Sequence, residues 1–163
     1  MAKKLQLSAD FQDGYLLYAL VSPLVDYRIS YFINQKTGMQ LKKYEDMPYR
    51  VSEEKTASFS WYYYFDEALN TSYYLIASKS KGGFLIPELK QVDYFLLINT
   101  TLSESVFKEN IKLIRDLQQM YAVLKQDFRR LQNTDGLLES IEMHELAQVV
   151  LPSKQNRYKP LKH

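Results

Sequence analysis

The sequence contains no cysteine and only two histidines among its 163 residues. Without cysteine, the chain can form no disulfide, no thiolate nucleophile and no cysteine-ligated zinc site. His144 and His163 have no companions at metal-ligand spacing, so the sequence predicts no metal site, no catalytic triad and no bound cofactor. A cysteine-free chain also suits a reducing compartment.

Long apolar runs and a strong charge imbalance are missing as well. The longest apolar stretch, Tyr15 to Val21, is far shorter than the roughly 20 residues that a membrane helix needs. Lys3 and Lys4 imitate the start of a secretory signal, but polar residues interrupt any apolar run before Tyr15. The 21 basic and 19 acidic residues give a formal net charge of +2, which demands neither nucleic acid nor a membrane as a partner. We therefore expect a soluble, cytoplasmic protein.

The strongest structural signal lies between Ile86 and Asn99. Alternate residues of a strand point to opposite faces, and both faces are apolar here: Val92, Tyr94, Leu96 and Ile98 would share one, and Asp93, Phe95 and Leu97 the other. A strand of this kind is typical of a sheet interior that is covered on both sides. Pro87 fixes its own backbone and favours extended geometry at Ile86, so we expect a straight approach to the strand.

The same stretch has a recognisable spacing, in which three residues separate two triplets: Ile86, Pro87 and Glu88, then Val92, Asp93 and Tyr94. This pattern resembles the signature of the bacterial IPExxxVDY family. Residues 26–36, DYRISYFINQK, are similar to an early segment of that family. The resemblance implies a small cytoplasmic protein and assigns no activity, ligand or partner.

The start of the chain contains signals for two helices. Tyr15 to Val21 is apolar nearly all round, which fits either a helix or a strand, and we favour a helix. Ser22 and Pro23 are typical of a helix start, and Gly38 is typical of a helix end, so a second helix is expected from there to Thr37.

Leu24, Tyr27 and Tyr31 are expected on the buried face of that second helix, with Ile33 and Phe32 as further candidates. Short strands are predicted around Leu5 and Leu7 and at residues 39–43. The polar residues 45–57 are expected to form a loop.

The middle of the chain predicts an aromatic hairpin. Residues 58–66 are expected to form a strand, and residues 72–78 are expected to pair back antiparallel across a turn at 67–71. The two faces of the first strand would carry Phe59, Trp61, Tyr63 and Phe65 on one side and Ser58, Ser60, Tyr62 and Tyr64 on the other.

The C-terminal part predicts two helices and a strand. Thr101 and Glu104 have the spacing of a capping box, and apolar residues recur at helical spacing after them. Residues 120–124 either return to the sheet as a strand or extend this helix, and we favour the strand. A thinner apolar face predicts a helix at residues 137–150.

Together these elements predict one α+β domain at residues 1–150. It is expected to be a two-layer sandwich, a mostly antiparallel sheet of about five or six strands with helices packed on it. Residues 151–163 contain four basic side chains, Lys154, Arg157, Lys159 and Lys162, and are expected to form a basic, disordered tail.

Glu88 and Asp93 are the first candidates for chemistry. Asp93 shares a strand face with Phe95 and Leu97, and a buried carboxyl group can act as a general acid or base. We favour a structural role, in which Asp93 accepts a hydrogen bond from a backbone amide and Glu88 holds the turn, because no nucleophile accompanies them. No catalytic residue is therefore assigned.

Tyrosine is the compositional anomaly, with 14 residues. The candidate binding surface is the aromatic hairpin, and it comprises Trp61, Tyr62, Tyr64, Tyr73 and Tyr74. Aromatic side chains on an open sheet face can stack on nucleic-acid bases, with Lys79, Lys81 and Lys90 nearby to meet phosphates. Cross-strand aromatic pairing is the simpler interpretation, and exposed tyrosines also suit a protein interface.

We favour a non-catalytic protein-interaction or adaptor module, with a protein as partner and with homo-oligomerisation left open. It would use the aromatic sheet surface or the groove beside residues 86–94. Two alternatives stay open: a weak single-stranded nucleic-acid binder that uses the tyrosine-rich sheet face, and an enzyme of unrecognised type centred on Glu88 and Asp93. A deep pocket that encloses either carboxylate would favour the enzyme.

Overall fold

The computed structural model describes residues 14–158. The strands are β1 (Tyr15–Val21), β2 (Lys42–Lys43), β3 (Met47–Ser52), β4 (Lys55–Phe59), β5 (Trp61–Asp66), β6 (Thr71–Ala77), β7 (Lys79–Ser80), β8 (Gly83–Phe84), β9 (Tyr94–Asn99) and β10 (Ala122–Gln126). The helices are α1 (Asp26–Thr37), α2 (Lys108–Arg115), α3 (Thr134–Glu145) and α4 (Leu151–Tyr158), and a π-helical segment, Leu146–Val150, joins α3 to α4. The strand predicted around Leu5 and Leu7 lies outside the described residues.

Six strands form one sheet in the order β10-β1-β9-β6-β5-β2, and every neighbouring pair is antiparallel. The strands β3 and β4 form a separate hairpin, and so do β7 and β8. The predicted α+β sandwich is confirmed, and so is the hairpin of β5 and β6. None of the helices in residues 14–158 has the length and apolarity that a bilayer crossing requires.

The strand β9 lies between β1 and β6 and is buried on both faces, as predicted. Its alternate side chains enter two different apolar clusters. Phe95 and Leu97 pack with α3 and with the β3–β4 hairpin, whereas Leu96 and Ile98 pack with α1 and α2. Both faces of the sheet are therefore covered.

The approach to β9 differs from the prediction. Pro87 begins a 3-10 turn, Pro87–Leu89, instead of prolonging an extended segment, although Ile86 before it is extended as predicted. Pro87 suits the first position of a helical turn because the N–H that it lacks has no partner there. Val92 consequently packs with Phe95 and Leu97 and not on the predicted face, because it precedes the regular strand.

Residues Tyr15 to Val21 form the strand β1, so the helix predicted there is wrong. The strand lies between β10 and β9, so its side chains are largely buried on both faces. A strand with two buried faces shows no apolar–polar alternation, and the residues alone could not distinguish it from a buried helix.

The helix α1 ends as predicted but begins later. Gly38 closes it in the left-handed conformation, with φ at 83°. Its first residue is Asp26 and not Pro23. The Ser22 hydroxyl accepts a hydrogen bond from the Leu24 N–H at 3.2 Å, so it stabilises the connection before the helix instead of capping it.

The buried face of α1 agrees with the prediction at Ile33 but not at the two tyrosines, and Leu24, just before the helix, is buried as predicted. Ile29 and Ile33 are fully buried, while Tyr27 and Tyr31 are 66% and 55% exposed. Ile29 and Ile33 are four residues apart and share one side of the helix. The side of α1 that carries these two aliphatic residues packs on the sheet, and the two larger tyrosines lie on an exposed side.

Residues 45–57 are not a loop, because they contain β3 and most of β4. Met47 is buried, Tyr49 and Val51 are half-buried, and the residues between them are exposed. This weak alternation is typical of a hairpin that packs one face only.

The C-terminal part combines confirmed and corrected elements. The strand favoured near residues 120–124 is present as β10. The helix after Thr101 begins as a 3-10 turn, Glu104–Phe107, which is preceded by Ser103 with no side-chain cap, so the predicted capping box is wrong. The helix α4 covers residues for which a disordered tail was expected, while the division of the chain at residue 150 stays a prediction.

Candidate binding cleft beside Ile86

Asp93 and Tyr94 connect the start of β9 to the chain that leaves β1. Asp93 Oδ2 accepts a hydrogen bond from the Ser22 backbone N–H at 2.9 Å, and Asp93 Oδ1 lies 3.3 Å from the Lys79 ammonium group. The Tyr94 hydroxyl donates to the Leu24 carbonyl oxygen at 2.6 Å. Both oxygens of Asp93 are therefore engaged, and they hold a connection that is distant in sequence.

Glu88 holds a different part of the chain. Its Oε2 accepts a hydrogen bond from the Gln132 backbone N–H at 2.8 Å, just before α3 begins. The expected bond within its own turn is replaced by this long-range contact. Glu88 is exposed and Asp93 is half-buried, and the two carboxylates hold separate segments. These contacts support a structural role for both.

We expect Asp93→Asn to lower the free energy of unfolding by about 1 kcal/mol and Asp93→Ala by about 2 kcal/mol. Asparagine keeps an acceptor oxygen for the Ser22 amide but loses the negative charge, whereas alanine leaves that amide unpaired. Urea titration measures both changes. Lys79→Met is the control, because a half-exposed ion pair contributes less than about 1 kcal/mol. Full stability of Asp93→Ala would show that the contact with Ser22 does not stabilise the fold.

Ile86 and its neighbours form one wall of a cleft of about 160 Å³. Residues 84–88 form this wall, residues 49–51 of β3 form the second, and residues 132–134 with Leu137 of α3 complete it. Ile86 and Leu137 are buried, and Val51 is half-buried. These apolar side chains line part of the cleft, although more of its accessible lining is polar than apolar.

The rim of the cleft is polar. Arg50 Nη2 donates to the Glu53 carbonyl oxygen at 2.7 Å, which positions the guanidinium group beside the opening. Lys90 Nζ lies 5.7 Å from the centre of the Phe84 ring, and that ring lines the cleft. Asn133 has a left-handed backbone, with φ at 58°, a conformation that asparagine tolerates better than most residues. This turn brings the start of α3 to the rim.

The aromatic hairpin is inside the protein, which corrects the expectation of an open aromatic face. Trp61, Tyr62, Tyr73 and Tyr74 are between 0% and 4% exposed, and Tyr64 is half-buried. Tyr64 and Tyr73 stack across the two strands with their ring centres 5.8 Å apart. Since helices cover both faces of the sheet, these side chains pair with each other and leave no surface on which bases could stack.

The sequence also contains a carboxylate–tyrosine cluster that was not predicted. The Tyr63 hydroxyl donates to Glu145 Oε2 at 2.9 Å, and the Tyr74 hydroxyl donates to the other oxygen of the same carboxylate. The Tyr15 hydroxyl donates to Glu142 Oε1 at 2.7 Å. Burial, reinforced by these carboxylates, raises the pKa of Tyr15, Tyr63 and Tyr74 well above its usual value.

The signal for this cluster was an acidic residue on an apolar stripe. Glu145 continues the helical spacing of Leu138 and Ile141, so it faces the sheet and meets the tyrosine hydroxyls there. The cluster fixes α3 on the sheet. Pairing between one acidic position and two strands far away in sequence could not be deduced from the residues alone.

His144 is a packed core residue in this structure. It is buried, its Nε2 lies 2.7 Å from the Glu45 carbonyl oxygen, and its ring meets Trp61 edge-on with centres 4.7 Å apart. Within residues 14–158, no three side chains of the metal-ligating types are grouped closely enough to hold an ion.

Comparisons of the chain with protein-family models, with curated proteins and with solved structures found no match. The cleft therefore has to be interpreted from its own geometry.

Proposed function

We propose that this protein is a non-catalytic protein-interaction module that binds a segment of a partner chain in the cleft beside Ile86. The observation that carries the proposal is the cleft itself, in which a few apolar side chains lie among polar ones. The aromatic hairpin, the other surface considered for binding, is buried. Glu88 lines the cleft, but its carboxylate is held by a backbone amide, which favours binding over catalysis.

The size of the cleft favours one anchoring side chain as the occupant. Clefts for small-molecule ligands usually measure about 300 to 1,000 Å³, and this one is about 160 Å³. A cavity of about 150 Å³ engineered in another protein holds one benzene molecule. A phenylalanine or leucine side chain of a partner fits this volume.

The charges at the rim favour acidic residues beside that anchor. Arg50 lines the opening, and Lys90 lies over the Phe84 ring. The negative charge of Glu88 is partly offset by its hydrogen bond to Gln132. A partner segment with aspartate or glutamate next to its apolar anchor would complement the two cations.

The cytoplasm is the proposed location, as the cysteine-free chain suggests. Membership of the IPExxxVDY family is likewise a proposal, which rests on residues 26–36 and on six residues of the motif: Ile86, Pro87, Glu88, Val92, Asp93 and Tyr94. In this structure those residues position the cleft wall and the start of β9.

The test is selection of peptides from a displayed random library against the full chain. We expect enriched peptides to share one aromatic or leucine anchor flanked by acidic residues. Val51→Trp fills the cleft and should weaken their binding by about tenfold or more. Tyr31→Trp adds the same ring on the exposed side of α1 and should bind like the unmodified protein. Enriched peptides without a common anchor, or equal binding to Val51→Trp, would contradict the proposal.

A further inference from the structure

An apolar stripe runs along the outer side of the C-terminal helical region. Met143, Leu146 and Leu151 are 61%, 40% and 48% exposed, and Ala147 between them is exposed as well. Residues three and four apart on an α-helix share a side, which aligns Met143 with Leu146 and Ala147. The π-helical segment bonds residues five apart, and this spacing places Leu151 on the same side as Leu146.

A shallow depression lies beside the stripe. It is lined by Pro48, Glu139, Ser140, Met143, His144 and Ala147. The stripe therefore offers both protruding side chains, such as Leu151, and a concave place that can receive one.

The start of α4 is exposed to solvent. Residues 151–154 are all exposed, and they continue the helical region of α3 and the π-helical segment. Leu151 therefore extends an exposed apolar patch, and patches of this kind mark protein–protein contacts.

Charge along this region is divided at Ala147. The part before it, from Thr134, contains four acidic residues and no lysine or arginine: Asp135, Glu139, Glu142 and Glu145. The part after it contains four basic residues and no acidic one: Lys154, Arg157, Lys159 and Lys162. Of these charges, Glu139 and Lys154 are exposed on the described helices, and Glu139 of one copy attracts Lys154 of another when the two helices run antiparallel.

We propose that two copies of this chain pair through the stripe as an antiparallel dimer, with Ala147 at the two-fold axis. Met143 and Leu151 are each four residues from Ala147, so Met143 of one copy faces Leu151 of the other. Glu139 and Lys154 are eight and seven residues from Ala147, and the same register brings them together. In a two-fold interface each of these contacts occurs twice.

The apolar contacts and the charged contacts thus specify one register independently. Leu151 of one copy enters the depression beside Met143 of the other, which covers the exposed part of α4. Ala147 is the smallest residue of the stripe, and it permits close approach of the two helices at the axis. The stripe is separate from the cleft beside Ile86, and the dimer does not rest on the proposed function.

The first test uses the absence of cysteine from the chain. We expect Ala147→Cys to form a disulfide-linked dimer under mild oxidation, because residues at a two-fold axis meet their own copies within disulfide reach. Tyr31→Cys, at an exposed position on α1, is the matched control and should stay single on a non-reducing gel. Equal cross-linking of the two variants would overturn the dimer.

The second test measures mass by sedimentation equilibrium. The unmodified chain should approach twice its 19.3 kDa as its concentration rises, and Met143→Glu with Leu151→Glu should weaken association by about tenfold or more. Tyr27→Glu, on α1, should associate normally. The substituted side chains are exposed, so the variants are expected to fold. Circular dichroism verifies this. A single chain at every concentration would overturn the proposal.

The third test examines the register. Glu139→Lys alone and Lys154→Glu alone place like charges together and should each weaken association. The double variant restores opposite charges and should recover it. Absence of recovery would contradict the antiparallel register, even if the protein were dimeric.

Discussion

Phe95→Ala is expected to lower the free energy of unfolding by about 3 to 5 kcal/mol, and Leu96→Ala by about 2 to 5 kcal/mol. Both side chains are buried in β9, the strand with a paired neighbour on each side near the middle of the sheet. Each substitution removes apolar contacts and leaves a cavity that neighbouring strands cannot close. Because typical domains are stable by about 5 to 15 kcal/mol, either loss is a large part of the total.

Milder substitutions in the same strand test whether its two faces are independent. Phe95 belongs to the cluster under α3, and Ile98 belongs to the cluster under α1 and α2. The costs of Phe95→Leu and Ile98→Val should therefore add within about 0.5 kcal/mol. Phe95→Leu with Leu97→Val is the comparison, since both side chains lie in one cluster. Urea titration of the single and double variants gives both coupling energies. A larger coupling between Phe95 and Ile98 than between Phe95 and Leu97 would contradict the separation of the clusters.

The parts of the fold that could be predicted from sequence are strands with a local sequence signal. The aromatic residues from Trp61 to Phe65 favour a strand at β5, and the apolar run at β9 follows Pro87, which makes a continuing helix unfavourable. Both predictions depend only on neighbouring residues.

The errors arose where local spacing is ambiguous or where distant contacts decide. The residues of β1 have no periodicity because both neighbours and both covering layers bury them. The helix α1 was expected to bury Tyr27 and Tyr31 as well as Ile33, but the side that packs on the sheet carries Ile29 and Ile33. The sequence alone does not show how the helix is oriented on the sheet, so the size of a side chain does not decide which side of the helix is buried.

The motif indicated a groove beside residues 86–94, but the shape of the cleft could not be predicted from the sequence. Ile86 and Glu88 supply one wall, while Val51 and Leu137 come from elements far away in sequence. One of those elements, β3, was expected to be part of a loop. The tyrosines show the same limitation: their number indicates a special surface, but covering layers on both sides of the sheet place them inside.

Alkaline pH is expected to unfold this protein steeply above about pH 10, where free tyrosine ionises. Seven buried tyrosines have a raised pKa, and burial is the main cause for each: Tyr15, Tyr18, Tyr62, Tyr63, Tyr73, Tyr74 and Tyr94. Burial raises the pKa of Tyr73 to about 12. The folded protein therefore keeps protons that the unfolded chain releases in this range.

The direction of the effect follows from this difference in bound protons. Below about pH 10 both states keep the tyrosine protons, and the stabilisation is complete. As the pH rises from there to the folded-state pKa, the unfolded state is favoured by about 1.4 kcal/mol per pH unit for each such tyrosine. Several tyrosines acting together make the loss of stability cooperative.

Tyr73→Phe provides the sharpest test, because it removes one titrating hydroxyl and keeps the buried ring. Between about pH 10 and 12, its unfolding free energy should fall less steeply than that of the unmodified protein, by about 1.4 kcal/mol per pH unit. Tyr31→Phe removes an exposed hydroxyl from α1 and should leave the slope unchanged. Urea titrations at successive pH values give the slopes, and tyrosinate absorbance should rise together with the loss of circular dichroism. Ionisation of the buried tyrosines while the fold persists at pH 10 would contradict their burial as the cause.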